Sequence, residues 1–158
     1  MRLRSTAVML AGTLGIATLT AAQAAEYLAP IDAQRTYSSG VVTQGGRTVW
    51  LAGMGGVTGP GGKKNTDFAS QTRQIFENIA ATLKTAGASL DNVVTMTVMI
   101  RNQSDGPEFL KLRGEFFKKS YPASMLIVAK DFANPNLLLE IQAVAVIGEQ
   151  PDSGPRKN

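Results

Sequence analysis

The run DFASQTRQIFENIAATLKTAG at residues 67–87, followed by VVTMTVMIR at 93–101, carries the reading from which the fold follows. Phe68, Thr72, Ile75, Phe76, Ile79 and Leu83 recur at three- and four-residue spacing, which places them on one stripe of an α-helix. Thr66 or Asp67 offers a side-chain oxygen to cap the free amides, and Gly87 supplies the residue that ends such a helix. The next segment changes period. Apolar residues, many β-branched, alternate with Thr or Met, the pattern of a strand packed on one face by that helix.

Working outward, a second helix is predicted from about Pro107 to Ser120, with Pro107 in its first turn and Phe109, Leu112, Phe116 and Phe117 near one side. Two strands follow, Ser124 to Ala129 and Leu137 to Ile147, separated by the turn former Asn134-Pro135-Asn136. Upstream, residues 25–36 read as irregular. Tyr37 to Thr43 and Arg47 to Ala52 read as the two strands of a hairpin turning at Gly45-Gly46. The order is strand, strand, helix, strand, helix, strand, strand, which predicts an α+β sandwich with both helices on one face of the sheet. The other face would then expose Val and Leu, so it is expected to be buried in an oligomer. Residues 149–158 form a polar C-terminal tail.

Composition excludes several chemistries. The 158 residues contain no His and no Cys, so there is no Ser/His/Asp relay, thiolate nucleophile, disulfide or Cys/His metal site. The N-terminus has the order of a secretory leader: basic Arg2 and Arg4, an apolar run from Ala7 to Leu19, then small residues at Ala22 and Ala24. Residues 1–24 are therefore expected to be a signal peptide cleaved after Ala24, leaving a domain over 25–148, exported to a periplasm or the medium. Without the leader the formal charge falls from +4 to +2, because Arg2 and Arg4 go and no acid goes with them. The Lys63-Lys64, Lys118-Lys119 and Arg156-Lys157 pairs are scattered, so neither nucleic acid nor, after cleavage, a membrane is an expected partner.

The glycine-dense stretch from Gly53 to Lys64 lets another group approach the main chain closely. It is not a P-loop, since Val57 and Lys64 stand where Gly and Ser or Thr are required. Nor is it a dinucleotide fingerprint, since Thr58 replaces the third Gly. Glu140 is the most informative residue. It interrupts the apolar strand LLLEIQAVAV, on the face that alternation gives to Gln142 and Leu138. A carboxylate so placed is either paired, with Arg73, Arg101 or Arg113 as candidates, or set to handle a proton.

These stretches resemble the Rid family, the reactive intermediate deaminases also called the YjgF family. The resemblance lies in Gln71-x-Arg73-Gln74, Glu77-Asn78-Ile79, Ala86-Gly87-Ala88-Ser89-Leu90 and Glu140-Ile141-x-Ala143-Val144-Ala145, and spans about residues 35–147. It implies a chorismate-mutase-like α+β fold and a homotrimer built around a sheet barrel, with small-molecule clefts between subunits. Catalytic members hydrolyse 2-imino and 2-enamino acids to 2-oxo acids and ammonia without a cofactor. In them an arginine in a Pro-Ala-Arg-Ser run clamps the substrate carboxylate, and a glutamate on the last strand positions or activates water.

The resemblance assigns the glutamate to Glu140 as catalytic residue, and Tyr37, Gly53 and Ser124 to ligand binding, with no metal and no cofactor. The arginine is missing. The matching stretch is Tyr121-Pro122-Ala123-Ser124-Met125, with Arg replaced by Ala123 or deleted before Ser124. Met54 and Leu110 stand where the family commonly has Gln and Asn. The leading expectation is thus an exported Rid-like homotrimer that binds a small, less anionic metabolite in intersubunit clefts and has lost arginine-dependent deamination. The alternatives are an imine or enamine deaminase in which Arg101 or Arg113 replaces the lost guanidinium, and, against the charge and export arguments, an endoribonuclease-like RNA binder.

Overall fold

In the computed structural model, which describes residues 25–29, 36–118 and 121–148, Asp67 is the cap that opens the central helix. Its carboxylate accepts the backbone N–H of Ser70 at 2.8 Å, which holds its pKa below the ordinary aspartate value. Helix α1 runs Phe68–Thr85 and buries Phe68, Thr72, Ile75, Phe76, Ile79 and Leu83, the stripe read from the sequence. Gly87, at φ 76°, ends it. Helix α2 covers Gly106–Phe116, four residues shorter at its end than predicted; Phe117 turns extended there and packs in the core. The two helices meet through aromatic rings, with Phe76 lying 4.8 Å from Phe116 and 5.6 Å from Phe117 between centroids.

Six strands are described: β1 (Ala25–Tyr27), β2 (Val41–Thr43), β3 (Arg47–Trp50), β4 (Val93–Ile100), β5 (Ala123–Val128) and β6 (Leu139–Ile147). Four of them form the main sheet in the order β3-β6-β4-β5. β6 is antiparallel to both neighbours, and β4 pairs parallel with β5. A parallel neighbour needs a crossover, which α2 provides between β4 and β5; α1 likewise connects β3 to β4, which run parallel with β6 between them. Both helices therefore cover one face of a mixed sheet, the α+β sandwich that the sequence predicts. The core lies between helices and sheet, where Met96, Val98, Ile100, Leu139, Ile141, Ala143 and Ala145 meet the α1 stripe.

Two local expectations are corrected. β2 does not form a hairpin with β3; it pairs with β1, in a stretch read as irregular, and the two make a separate ribbon. Gly45 and Gly46 do turn the chain, with φ of 66° and 78°. A Cβ at Gly46 would lie 2.3 Å from the Ile147 carbonyl oxygen, so the chain leaves this turn already pressed against β6. The ribbon is held by its own apolar contacts, Ala25, Tyr27 and Val41 clustering with Val94, Val144 and Val146 of the sheet. The second correction concerns Leu138, which precedes β6 and packs against the main core instead of sharing the Glu140 face. The expected leader (1–24) and polar tail (149–158) lie outside the described residues.

Candidate functional site

Strand register assigns every side chain of the sheet to a face. Val98, paired with Ile141 and Leu126, points to the helices; Met99, paired with Glu140 and Ile127, points the other way. The face turned away from the helices thus carries Trp50, Val144 and Thr95, then Gln142, Thr97 and Met125, then Glu140, Met99 and Ile127; the β1–β2 ribbon packs on its Val144 and Val146 end and the rest is open. Trp50 is 75% exposed and Met125 55%, and with Ile127 on the same face they are exposed apolar side chains gathered on one surface.

Glu140 sits near the start of β6 on this face, partly exposed. None of the three arginines considered as its partner reaches it. Arg73 forms a two-nitrogen pair with Glu115 at 3.0 and 3.1 Å on the outside of the helices. Arg101 donates to the carbonyls of Leu137 (2.9 Å) and Pro135 (3.2 Å), fixing the turn before β6. Arg113 donates instead to the hydroxyls of Thr36 and Ser124. Among the described residues Glu140 makes no hydrogen bond or ion pair, so its oxygens remain available to water or a ligand. Its seat is Gly53: a Cβ there would fall 1.9 Å from Glu140 Oε1. Gly53 and Glu140 are therefore one unit, a carboxylate lying on bare backbone.

Two buried contacts hold that unit in place. Met54, next to Gly53, exchanges backbone hydrogen bonds with Ile141, next to Glu140, at 2.8 and 3.1 Å. Gln71, 1% exposed, spends its whole amide on the approach to β6. Its Oε1 accepts the Leu138 N–H at 2.9 Å, and its Nε2 donates to the carbonyls of Asn136 (2.9 Å) and Asn65 (3.0 Å). The glycine loop closes on itself as well. Gly59 N–H donates to the Lys63 carbonyl and Asn65 N–H to that of Val57, which leaves those amides committed.

Tyr37 and Ser124, the other two predicted residues, come together elsewhere. Ser124 pairs with Met96, on the helix face, and its Oγ accepts Arg113 Nη1 at 2.9 Å. Arg113 Nε donates to Thr36 Oγ1 at 3.0 Å, and the guanidinium lies 5.5 Å from the centroid of the Tyr37 ring and 5.4 Å from that of Phe109. Arg113 is 1% exposed, and burial pulls its pKa down to about 10, with Tyr37 acting weakly in the other direction. Ala123 faces the open side with Met125, so β5 presents a methyl group there and no guanidinium. The four predicted residues thus fall into two places, Gly53 with Glu140, and Tyr37 and Ser124 on either side of Arg113.

Sequence reasoning missed the importance of Gln71 and the setting of Arg113. The second had a readable signal: Arg113 is four residues after Phe109 and follows Leu112, within the apolar stripe of α2. A shallow groove of about 410 Å³ on the outer side of the helices, lined by Arg73, Pro107, Glu108, Lys111, Leu112 and Glu115, contains none of the predicted residues. Among the described residues no three acidic, His or Cys side chains gather as a metal site.

Fold and site together define a class: a two-layer α+β domain with a largely open sheet face on which a solitary carboxylate rests against glycine. The Endoribonuclease L-PSP family model matches residues 27–147, and the chain belongs to that family, the YjgF/Rid group that the sequence resembles. A 2-iminobutanoate/2-iminopropanoate deaminase of the mite Dermatophagoides farinae is 31% identical over 119 residues, covering 70% of this chain and 85% of the relative. A RutC family protein of Pyrococcus horikoshii is 35% identical over 79 residues, 50% of this chain and only 62% of the relative. The Rid-family protein YyfB of Yersinia pestis superposes with a TM-score of 0.69 at 24% identity over 79% of this chain and all of its own, a likeness of fold.

Proposed function

We propose that the protein is a Rid-type homotrimer whose intersubunit clefts take a small imine or enamine and hydrolyse it without a cofactor, Glu140 holding the water. The observation that carries this reading is the partly exposed Glu140 carboxylate, unpaired among the described residues and seated on Gly53. Water held by that carboxylate adds to the C=N carbon of the protonated imine while one water proton passes to Glu140, giving a neutral carbinolamine. Glu140 returns that proton to the amine, and ammonia leaves as the carbinolamine hydroxyl gives its own proton back to Glu140 and becomes the carbonyl. The uncovered face supports the trimer, since Trp50, Met125 and Ile127 would be sealed there. Assembly would also bring the Tyr37–Ser124 pair of one subunit toward the Glu140–Gly53 pair of the next. Export through residues 1–24 is part of the same proposal.

A second reading, binding without turnover, is favoured by Ala123. A methyl group on the open face cannot make the bidentate clamp of catalytic relatives, and two charged hydrogen bonds of about 1.5–3 kcal/mol each are lost with it. RNA cleavage has little support, because the register places no Lys or Arg of the sheet on the open face and Glu140 would repel phosphate. The test couples an amino-acid oxidase to the purified protein and times imine loss. Accelerated loss that disappears in Glu140→Gln supports hydrolysis; no acceleration, with a small molecule still bound, selects the second reading. A monomeric mass by light scattering would remove the cleft itself.

A further inference from the structure

We propose that Arg113 is the anion-holding residue of the cleft, a guanidinium supplied by helix α2 that takes a single carboxylate of the ligand on its Nη2 edge. The proposal rests on the reading of the cleft as a small-molecule site. It starts from the fate of the guanidinium groups. Arg73 is engaged by Glu115, Arg101 by two carbonyls with Asp131 at 3.9 Å, and Arg47 by the Ala86 carbonyl. Arg113 differs in being buried, and its two described hydrogen bonds go to hydroxyls, which carry no charge.

Its Nη2 is the one buried side-chain nitrogen or oxygen without a hydrogen-bond partner among the described residues. A buried cation without an anion is costly, and the rings of Tyr37 and Phe109 offset only part of that cost. The arrangement makes sense if the counter-charge arrives with a ligand. Thr36 and Ser124 already fix the Nε and Nη1 edges, so the free edge is aimed in advance and little side-chain entropy remains to be lost on binding. Thr36, Tyr37 and Ser124 are themselves partly exposed, which leaves the guanidinium one side-chain layer beneath the surface. One open nitrogen and one positive charge suit a carboxylate better than a phosphate dianion. The loss of a clamp on β5 at Ala123 and the presence beside Ser124 of a guanidinium with one open nitrogen then have one explanation.

The test follows the Arg113 Nε–Hε resonance of the full chain during titration with acetate, and with acetamide as a neutral shape control. Acetate is expected to shift it saturably and acetamide not at all. Acetate affinity should fall at least tenfold in Arg113→Gln and remain within twofold in the surface control Arg73→Gln. Arg113→Lys, which keeps the charge but not the fork, and Ser124→Ala, which frees the Nη1 edge, should each weaken binding severalfold and cover the case in which Arg113→Gln does not fold. Equal affinity in the parent and a folded Arg113 variant overturns the proposal. So does a resonance insensitive to acetate, as it would be if another carboxylate of the protein already occupied the site. In either case, the imine-loss assay with Glu140→Gln decides separately whether the cleft reading survives.

Discussion

Replacement of Gly53 by alanine tests the candidate site most directly, because its effect can be worked from distances. Gly53 is not among the glycines with positive φ, so alanine is acceptable to its backbone and the demand for glycine is one of space. The new Cβ would start 1.9 Å from Glu140 Oε1 and 3.0 Å from its Cδ. Carbon–oxygen contacts settle at about 3.3 Å or more, so the carboxylate must retreat by about 1.4 Å. The obstructing atom is the tip of a flexible side chain, and an off-rotamer Glu140 costs only about 0.5–1.5 kcal/mol. Misplacing a reacting group by about 1 Å costs on the order of 100-fold in rate. The expected result in the coupled imine assay is therefore a rate lower by about two orders of magnitude with a small drop in Tm. In a Glu140→Ala background, where the obstruction is gone, the same glycine substitution should leave Tm nearly unchanged. An unaltered rate in Gly53→Ala would refute the placement of the active carboxylate above Gly53. A large Tm loss that persists without Glu140 would refute the steric argument.

Gly56 gives the contrasting case. A Cβ there would lie 2.1 Å from the backbone oxygen of Gln71, and backbone yields less readily, so Gly56→Ala should lose clearly more stability than Gly53→Ala, about 1–3 kcal/mol or more by chemical denaturation. Asp67→Ala removes the α1 cap and should cost about 1 kcal/mol. The Asp67 carboxyl titrates below its ordinary value in the folded protein. Its contribution is thus complete above the unfolded pKa and is lost as pH falls through the folded one, and acid unfolding curves of the parent and Asp67→Ala should converge at the lowest pH. Trp50 is the single tryptophan of the chain, so its fluorescence reports on the open face. Blue-shifted emission in the trimer that moves red on dissociation is expected, with Trp50→Lys sedimenting as a smaller species. Solvent-like emission from a stable trimer would show that the face is not the interface.

Elements governed by local chemistry were legible residue by residue. The α1 stripe, its Asp67 cap, its Gly87 terminus and the β4 and β6 strands all follow from spacing and side-chain type, and each is found within two residues of its expected limits. The β2–β3 hairpin was misread because Gly45-Gly46 specifies a turn but not what the flanking strands pair with. That choice is made by distant residues, β1 for β2 and β6 for β3. Glu140 stood out as a charge inside an apolar strand, whereas its seat on Gly53 comes from pairing across 87 positions and no local pattern encodes it. Gln71 looked like one more polar residue of a helix. Its burial and its two distant contacts, to Asn136 and Leu138, appear only when the loop, the turn before β6 and α1 converge.

By itself the sequence determined the α+β class, the helix and strand faces, the exclusion of His and Cys chemistry, and that Ala123 precedes Ser124. These depend on residue type and short-range periodicity. Only the tertiary structure decided that Ala123 rather than a cation faces the open side, that none of Arg73, Arg101 and Arg113 pairs with Glu140, and that Arg113 lies buried beside Ser124. Burial and partnership are properties of segments brought together from far along the chain. The same guanidinium is a solvated charge on one helix face and an unspent electrostatic resource on another.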